Sequence, residues 1–207
     1  MTPSPTQPGR YHHGDLPNAV KQAALAVLAT DGPAALSLRH VAAQAGVSHT
    51  APRHHFGDKQ HLLTELSLDG FTSLAEAMTR ALDGVDDPAD RLPALLSSYV
   101  AHHRQHPGYA AIMWRTDLLD TTDPRLQQAS LHTFELLHDA AATADTQLTT
   151  SLGPYRLALM LWSLAHGVTT LADRLTPALA DAAGTPDPSL PPPEQLVTEF
   201  AHAALRT

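Results

Sequence analysis

The stretch Ala45–Lys59, AGVSHTAPRHHFGDK, decides how the chain folds. It gathers Arg53, Lys59 and the histidines His49, His54 and His55 behind a Gly-Val-Ser turn. Such a cluster suits either a helix laid against a polyanion or a set of imidazoles around a metal. The residues upstream favour the helix. Ser37 can cap LRHVAAQA, Leu38–Ala45, because a serine oxygen accepts from the free N–H groups of a first turn. Gly46 ends that helix, having no Cβ to clash in a left-handed turn. A second short helix is expected from about His49 to Phe56, with Ser48 at its entrance and Pro52 close enough to the start to cost little. Val41, Ala42 and Ala45 are small or apolar, so the two helices can pack closely, and Val47 plugs the core. Two short helices across a tight turn form a helix-turn-helix, whose second helix lies in the major groove of DNA while the first crosses the backbone.

Outside this unit the periodicity stays helical. Val20, Ala23, Ala24, Val27 and Leu28 make one apolar stripe on a first helix over Leu16–Thr30. Asp15 is its expected cap, and Asp31-Gly32-Pro33 closes it. A long fourth helix opens at Gly57-Asp58-Lys59 and runs to about Leu82. Further helices are expected over Ala89–Gln105, Arg125–Thr146, Tyr155–Leu175 and Glu194–Arg206, with a short piece, YAAIMWRT, leading into the DTTDP loop. The Pro-rich 184–193 must be a loop. No segment alternates as a strand does, so the fold class is all-α.

The 207 residues carry a net charge of −8, unevenly spread. Residues 1–61 hold five Lys/Arg against three acids, whereas the remainder holds eight against eighteen. A module for an anionic partner joined to an acidic body has this asymmetry. No apolar run is long enough to span a membrane. The first ten residues, MTPSPTQPGR, lack the apolar core of a signal peptide and read as a disordered tail. The chain has no cysteine, which excludes disulfides and Cys-ligated zinc or iron–sulfur sites and fits a bacterial-type cytoplasmic protein.

The run from YHHGDL through SLRHVAAQAGVSHTAPRHHFGDKQHLL resembles the N-terminal domain of TetR-family transcriptional regulators. The C-terminal LWSLAHGVTTL, with Trp162, His166 and Gly167, resembles the Trp…His-Gly signature of one subgroup's ligand-binding domain. The resemblance implies three parts: the tail 1–10, a helix-turn-helix domain 11–61 and a helical effector-binding and dimerisation domain 62–207. It implies a repressor that binds a palindromic operator in double-stranded DNA as a homodimer. Ser37, Arg39, Ser48, His49, Thr50, Arg53, His54 and Lys59 become the DNA-facing positions. His55 could face DNA or core, and Phe56 is assigned to the core. The family usually has Tyr where Arg53 stands. The guanidinium can take the same phosphate contact or reach a guanine edge bidentately.

The same resemblance gives the body two tasks, dimerisation through its last two helices and capture of a mostly apolar small effector. YRLALMLWSLAHGVTTLADRL is apolar on too many sides for the surface of a monomer. Tyr99, Met113, Trp114, Phe134, Trp162 and His166 are the candidate effector pocket, and the same residue types at helical spacing also suit plain core.

The rival class is a metal-binding or di-iron helical bundle. His102 and His106 are four apart, and the pairs Glu135/His138 and Glu199/His202 have the spacing that builds di-iron sites. Such a site needs two further inward glutamates, and only Glu65, Glu76 and Glu194 remain. His138 could also join His102 or His106 in a sensory site. No phosphate loop, dinucleotide fingerprint or nucleophile elbow is present, so no cofactor and no catalysis are expected. A dimeric adaptor using the helix-turn-helix for protein contacts is the third option.

Overall fold

The computed structural model describes residues 16–144, 151–183 and 191–205, and among these it has helices and no strand. The tail 1–10, the YHHGD part of the opening motif, the Asp15 cap, the ends at Thr146 and Arg206 and most of the Pro-rich loop lie outside the described residues.

Helix α1, Leu16–Ala35, buries the expected Val20, Ala23, Ala24, Val27 and Leu28. Its path breaks at Gly32, whose φ of 74° and ψ of 176° no helix accommodates. Helix α2, Leu38–Ala45, starts where Ser37 accepts from the His40 N–H and stops at Gly46, left-handed at φ 65°. The amide of Gly46 donates to the Ala43 carbonyl and that of Val47 to Ala42, closing the free end of α2. Helix α3, Ala51–Phe56, begins two residues later than the sequence suggests. Pro52 has no N–H, so it is accommodated only in a first turn, where N–H groups lack partners anyway. His49 and Thr50 therefore lie in the turn before the helix.

Helix α4, Lys59–Ala81, is capped by Asp58, whose carboxylate accepts from the His61 N–H. It starts beside α3 and runs on into the body, burying Leu62, Leu63, Leu66, Phe71, Leu74 and Met78 in one core. Helices α5, Pro88–Gln105, and α7, Pro124–Thr143, both begin at an aspartate cap followed by proline and pack against α4. Between them α6 is only Pro107–Ala110, after which the chain turns through Trp114. Helix α8, Pro154–Ala183, passes Pro177 and outruns its expected end at Leu175, because the alanine-rich PALADAA is strongly helix-forming. Helix α9 spans Pro193–Leu205. Helix α8 packs on α5 and α7, and α9 on α5, where Arg104 meets Glu194 at 2.8 Å.

Two sets of contacts join the α1–α3 unit and the start of α4 to the helices beyond, besides the length of α4 itself. Along the start of α4, Gln60 donates to the Leu119 carbonyl, the Asp120 N–H donates to Thr64 Oγ1, and Arg125 pairs with Glu65 at 2.6 Å. Helix α6 packs directly on α1. A Cβ on Gly108 would stand 2.6 Å from the carbonyl oxygen of Leu25, a backbone atom that cannot swing aside. Gly108→Ala should therefore destabilise the protein by about 1–3 kcal/mol, the cost of overpacking. A urea midpoint equal to that of the wild type would show that α6 yields freely.

Candidate functional site

The helix-turn-helix sorts its residues by burial. Pro52 and Phe56 face the core, whereas Arg39, Ser48, His49, Thr50, Arg53, His54 and His55 are exposed. His55 thus lies on the outer face, its ring 5.3 Å from that of His54. Ser37 is exposed too, with its oxygen spent on capping α2. Ser48 and Thr50 share a hydrogen bond of 3.2 Å that braces the turn. The Arg39 and Arg53 guanidiniums make no hydrogen bond or ion pair with the described residues. A planar fork of donors left open in this way can take two acceptors of a phosphate or of a guanine edge. Lys59 differs: half-buried, it donates to the Pro33 carbonyl at 2.8 Å and ties α4 to the broken end of α1. Two of its three protons remain for an anion.

The six candidate pocket residues come together in the body. Five are rings in mutual contact. Trp114 meets Trp162 edge-on at 4.8 Å, Phe134 lies 5.5 Å from Trp162, and Tyr99 Oη shares a 2.9 Å hydrogen bond with His166 Nδ1. Met113 is buried nearby, its sulfur 2.9 Å from where a Cβ of Gly70 would stand.

Two members of this cage carry no local sequence signal. Phe71 meets Trp114 at 4.9 Å, nearly perpendicular. His103 stacks on Tyr99 at 4.2 Å and takes the Trp114 indole N–H at 3.3 Å. A groove of about 410 Å³ lies beside the cage, between α4 and α7, lined by Phe71, Ala75, Arg80, Ala129 and His132. Phe71 is common to groove and cage.

Burial pushes the Tyr99 phenol up, opposed more weakly by the neighbouring Trp162 and Trp114 side chains. His103 is held down to about 4, chiefly by burial; its bond to the Tyr99 carbonyl opposes this and the nearby His166 adds to it. His102, whose Nε2 reaches Ser73 at 3.1 Å, is also held at about 4, by burial first and then by His106, His103 and Arg80. Burial lowers His166 as well.

The metal alternative finds no geometry. Among the described residues no three of His, Asp and Glu approach closely enough to hold an ion. Glu135 is nearest His132, His138 turns to Asp139, Glu199 accepts from Gln195, and His202 faces Asp90. Glu65, Glu76 and Glu194 are each engaged by an arginine. No helix among the described residues is long and apolar enough to cross a membrane.

Residues 22–66 match the tetR family of bacterial regulatory proteins, and residues 92–203 match the tetracyclin repressor-like C-terminal domain. The chain belongs to the TetR family. It is accordingly a DNA-binding transcriptional regulator and not an enzyme. A protein of unknown function from Rhodococcus sp. RHA1 is 30% identical, with 95% of this chain and 96% of that chain covered at a TM-score of 0.74. A tetR-family regulatory protein from Rhodococcus RHA1 is 22% identical over 93% of this chain and 96% of that one, TM-score 0.70. The fatty acid degradation regulator FadR of Bacillus halodurans shares the fold at 15% identity, covering 94% and 96%, TM-score 0.65. No curated protein matches the chain.

The two low histidines set a pH dependence. In the unfolded chain an imidazole titrates near about 6.5, so between there and 4 the unfolded state binds protons that His102 and His103 refuse. Stability should fall as pH drops through that window and level off, for these groups, below it. For the more deeply buried His103 the full effect is about 3 kcal/mol. Urea unfolding at pH 7 and at 4.5 should show a smaller loss in His103→Gln than in the wild type; equal losses would mean His103 protonates freely in the fold.

Proposed function

We propose that the protein is a ligand-responsive repressor that binds a palindromic operator as a homodimer and is released by a small, mostly apolar effector. The observation that carries this reading is the exposed α2–α3 unit with the open guanidiniums of Arg39 and Arg53, at the one end of the chain with positive charge. Residues 11–61 serve as the reader and 62–207 as the sensing and dimerising body. Ser37, Arg39, Ser48, His49, Thr50, Arg53, His54, His55 and Lys59 face the duplex. The repressor works in the cytoplasm, beside the DNA it reads.

Exposed side chains on the last two helices support the dimer. Tyr155, Leu159, Met160 and Leu171 on α8 and Phe200 on α9 are 60%, 44%, 58%, 52% and 51% exposed. Gly167 sits on the same helix with open space above its Cα, which lets another backbone approach. An apolar face of this kind is costly in water and is covered by a second copy in an isologous contact. Two-fold symmetry then places the recognition helices about one turn of DNA apart, on half-sites of a palindrome.

Effector enters the ring cage of Tyr99, Met113, Trp114, Phe134, Trp162 and His166. Helix α4 carries the response, since one end abuts α3 and the other packs among α5 and α7. Occupation favours a body in which the recognition helices are splayed, and operator must weaken effector binding by the same factor.

Selection of bound duplexes from a random pool tests the reading. The wild type should enrich a palindrome, and Arg53→Ala should lose it. No enrichment at low salt, with the protein folded, would sink the proposal. Removing the Lys59 charge should lower the salt slope of DNA binding by about one. An unchanged slope in a folded Lys59→Ala protein would show that the Pro33 carbonyl takes all of that ammonium.

A further inference from the structure

Trp114 occupies its cage as a ligand would. Its indole is met edge-to-face by Phe71 at 4.9 Å, Trp162 at 4.8 Å and His166 at 5.9 Å. Its N–H points to one acceptor, and the geometry fixes that acceptor's state. His103 Nδ1 lies 3.2 Å from the Tyr99 carbonyl, which only accepts, so Nδ1 carries the proton. Nε2 is then a bare lone pair, and it takes the indole N–H at 3.3 Å, a long bond.

The residue at the centre of the cage lies in a turn and not in a helix, as does the adjoining Met113. Trp114 is half-buried and lies in turns after α6, whereas Phe71, Tyr99, His103, Trp162 and His166 all sit within helices. Phe71 both touches Trp114 and lines the α4–α7 groove, so a single buried ring separates the cage from that groove.

We infer that Trp114 is an internal stand-in for the effector, and that the effector is a flat, uncharged aromatic molecule with one N–H or O–H donor that displaces the Trp114 indole and donates to His103 Nε2. This rests on the effector-responsive reading above and names the ligand class of its site. A neutral aromatic ring gains the three edge-to-face contacts the indole gives up. A donor is required, because a buried lone pair left unmet costs most of what the displacement gains. The displaced turn is continuous with α6, which lies against α1 at Gly108 and Leu25, so filling the cage moves the reader.

Phenol and anisole, alike in shape and differing in the donor, test the inference on the free protein without DNA. The chain has two tryptophans, both in the cage, so emission excited beyond phenol absorption is read in the otherwise intact protein, with Trp114→Phe as the control that removes the Trp114 share. Phenol should shift this emission to the red and open it to acrylamide quenching, saturably, and anisole should need about ten-fold more, the loss of one hydrogen bond. His103→Leu should erase that preference, and His103→Gln, whose amide oxygen still accepts, should keep part of it. The inference is overturned if phenol leaves the emission unchanged to its solubility limit, or if the two probes act alike. It is equally overturned if a folded His103→Leu protein still prefers phenol; should neither His103 variant fold, the comparison of probes decides alone. None of these outcomes bears on duplex selection, so the regulator reading stands or falls separately.

Discussion

The distance between α6 and α1 constrains everything else in the molecule. At Gly108 two backbones come together with no side chain between them, against the carbonyl of Leu25. A close-packed contact of this kind has no slack: it transmits displacement rather than absorbing it. Helix α1 in turn packs against α2, so α6 and the recognition unit share one supporting helix. A four-residue helix on its own has little rigidity. Its position is set instead by the chain on either side, α5 before it and the Trp114 turns after it.

Helix α4 is the second link, and it is held differently at its two ends. Its first turns are bound by directed polar contacts, from Gln60 to Leu119, from Asp120 to Thr64 and from Arg125 to Glu65. Lys59 adds a bond backwards to Pro33. Further along, the helix is held by burial of Phe71, Leu74 and Met78. The helix is therefore held at its start by directed bonds and further along by a close-packed apolar core.

Much of this was legible because the signals are local. Ser37 and Gly46 mark both ends of α2, Asp58 the start of α4, and the spacing from Val20 to Leu28 a single buried face. The ring cage was partly legible as a set of residue types, and the sequence could assign it neither to core nor to pocket. What escaped has no local signature. Lys59 reads as an exposed cation until the break at Gly32 brings a carbonyl from 26 residues away. His103 is one histidine among fourteen until folding sets it between Tyr99 and Trp114. The sequence places the onset of α3 two residues early, because the turn residues His49 and Thr50 are also acceptable in a helix, and only the missing N–H of Pro52 decides between them.

The charge imbalance has a kinetic consequence. With eighteen acids against eight Lys/Arg beyond residue 61, the body is repelled by DNA at any approach except with the α2–α3 tip leading. Duplex DNA places a negative charge about every 1.7 Å, so the repulsion acts before contact, out to roughly a Debye length. Collisions in the wrong orientation are turned away rather than held. Salt, which ordinarily only weakens binding to DNA, here also relaxes this orientational sieve, and so acts on encounter and on grip in opposite directions.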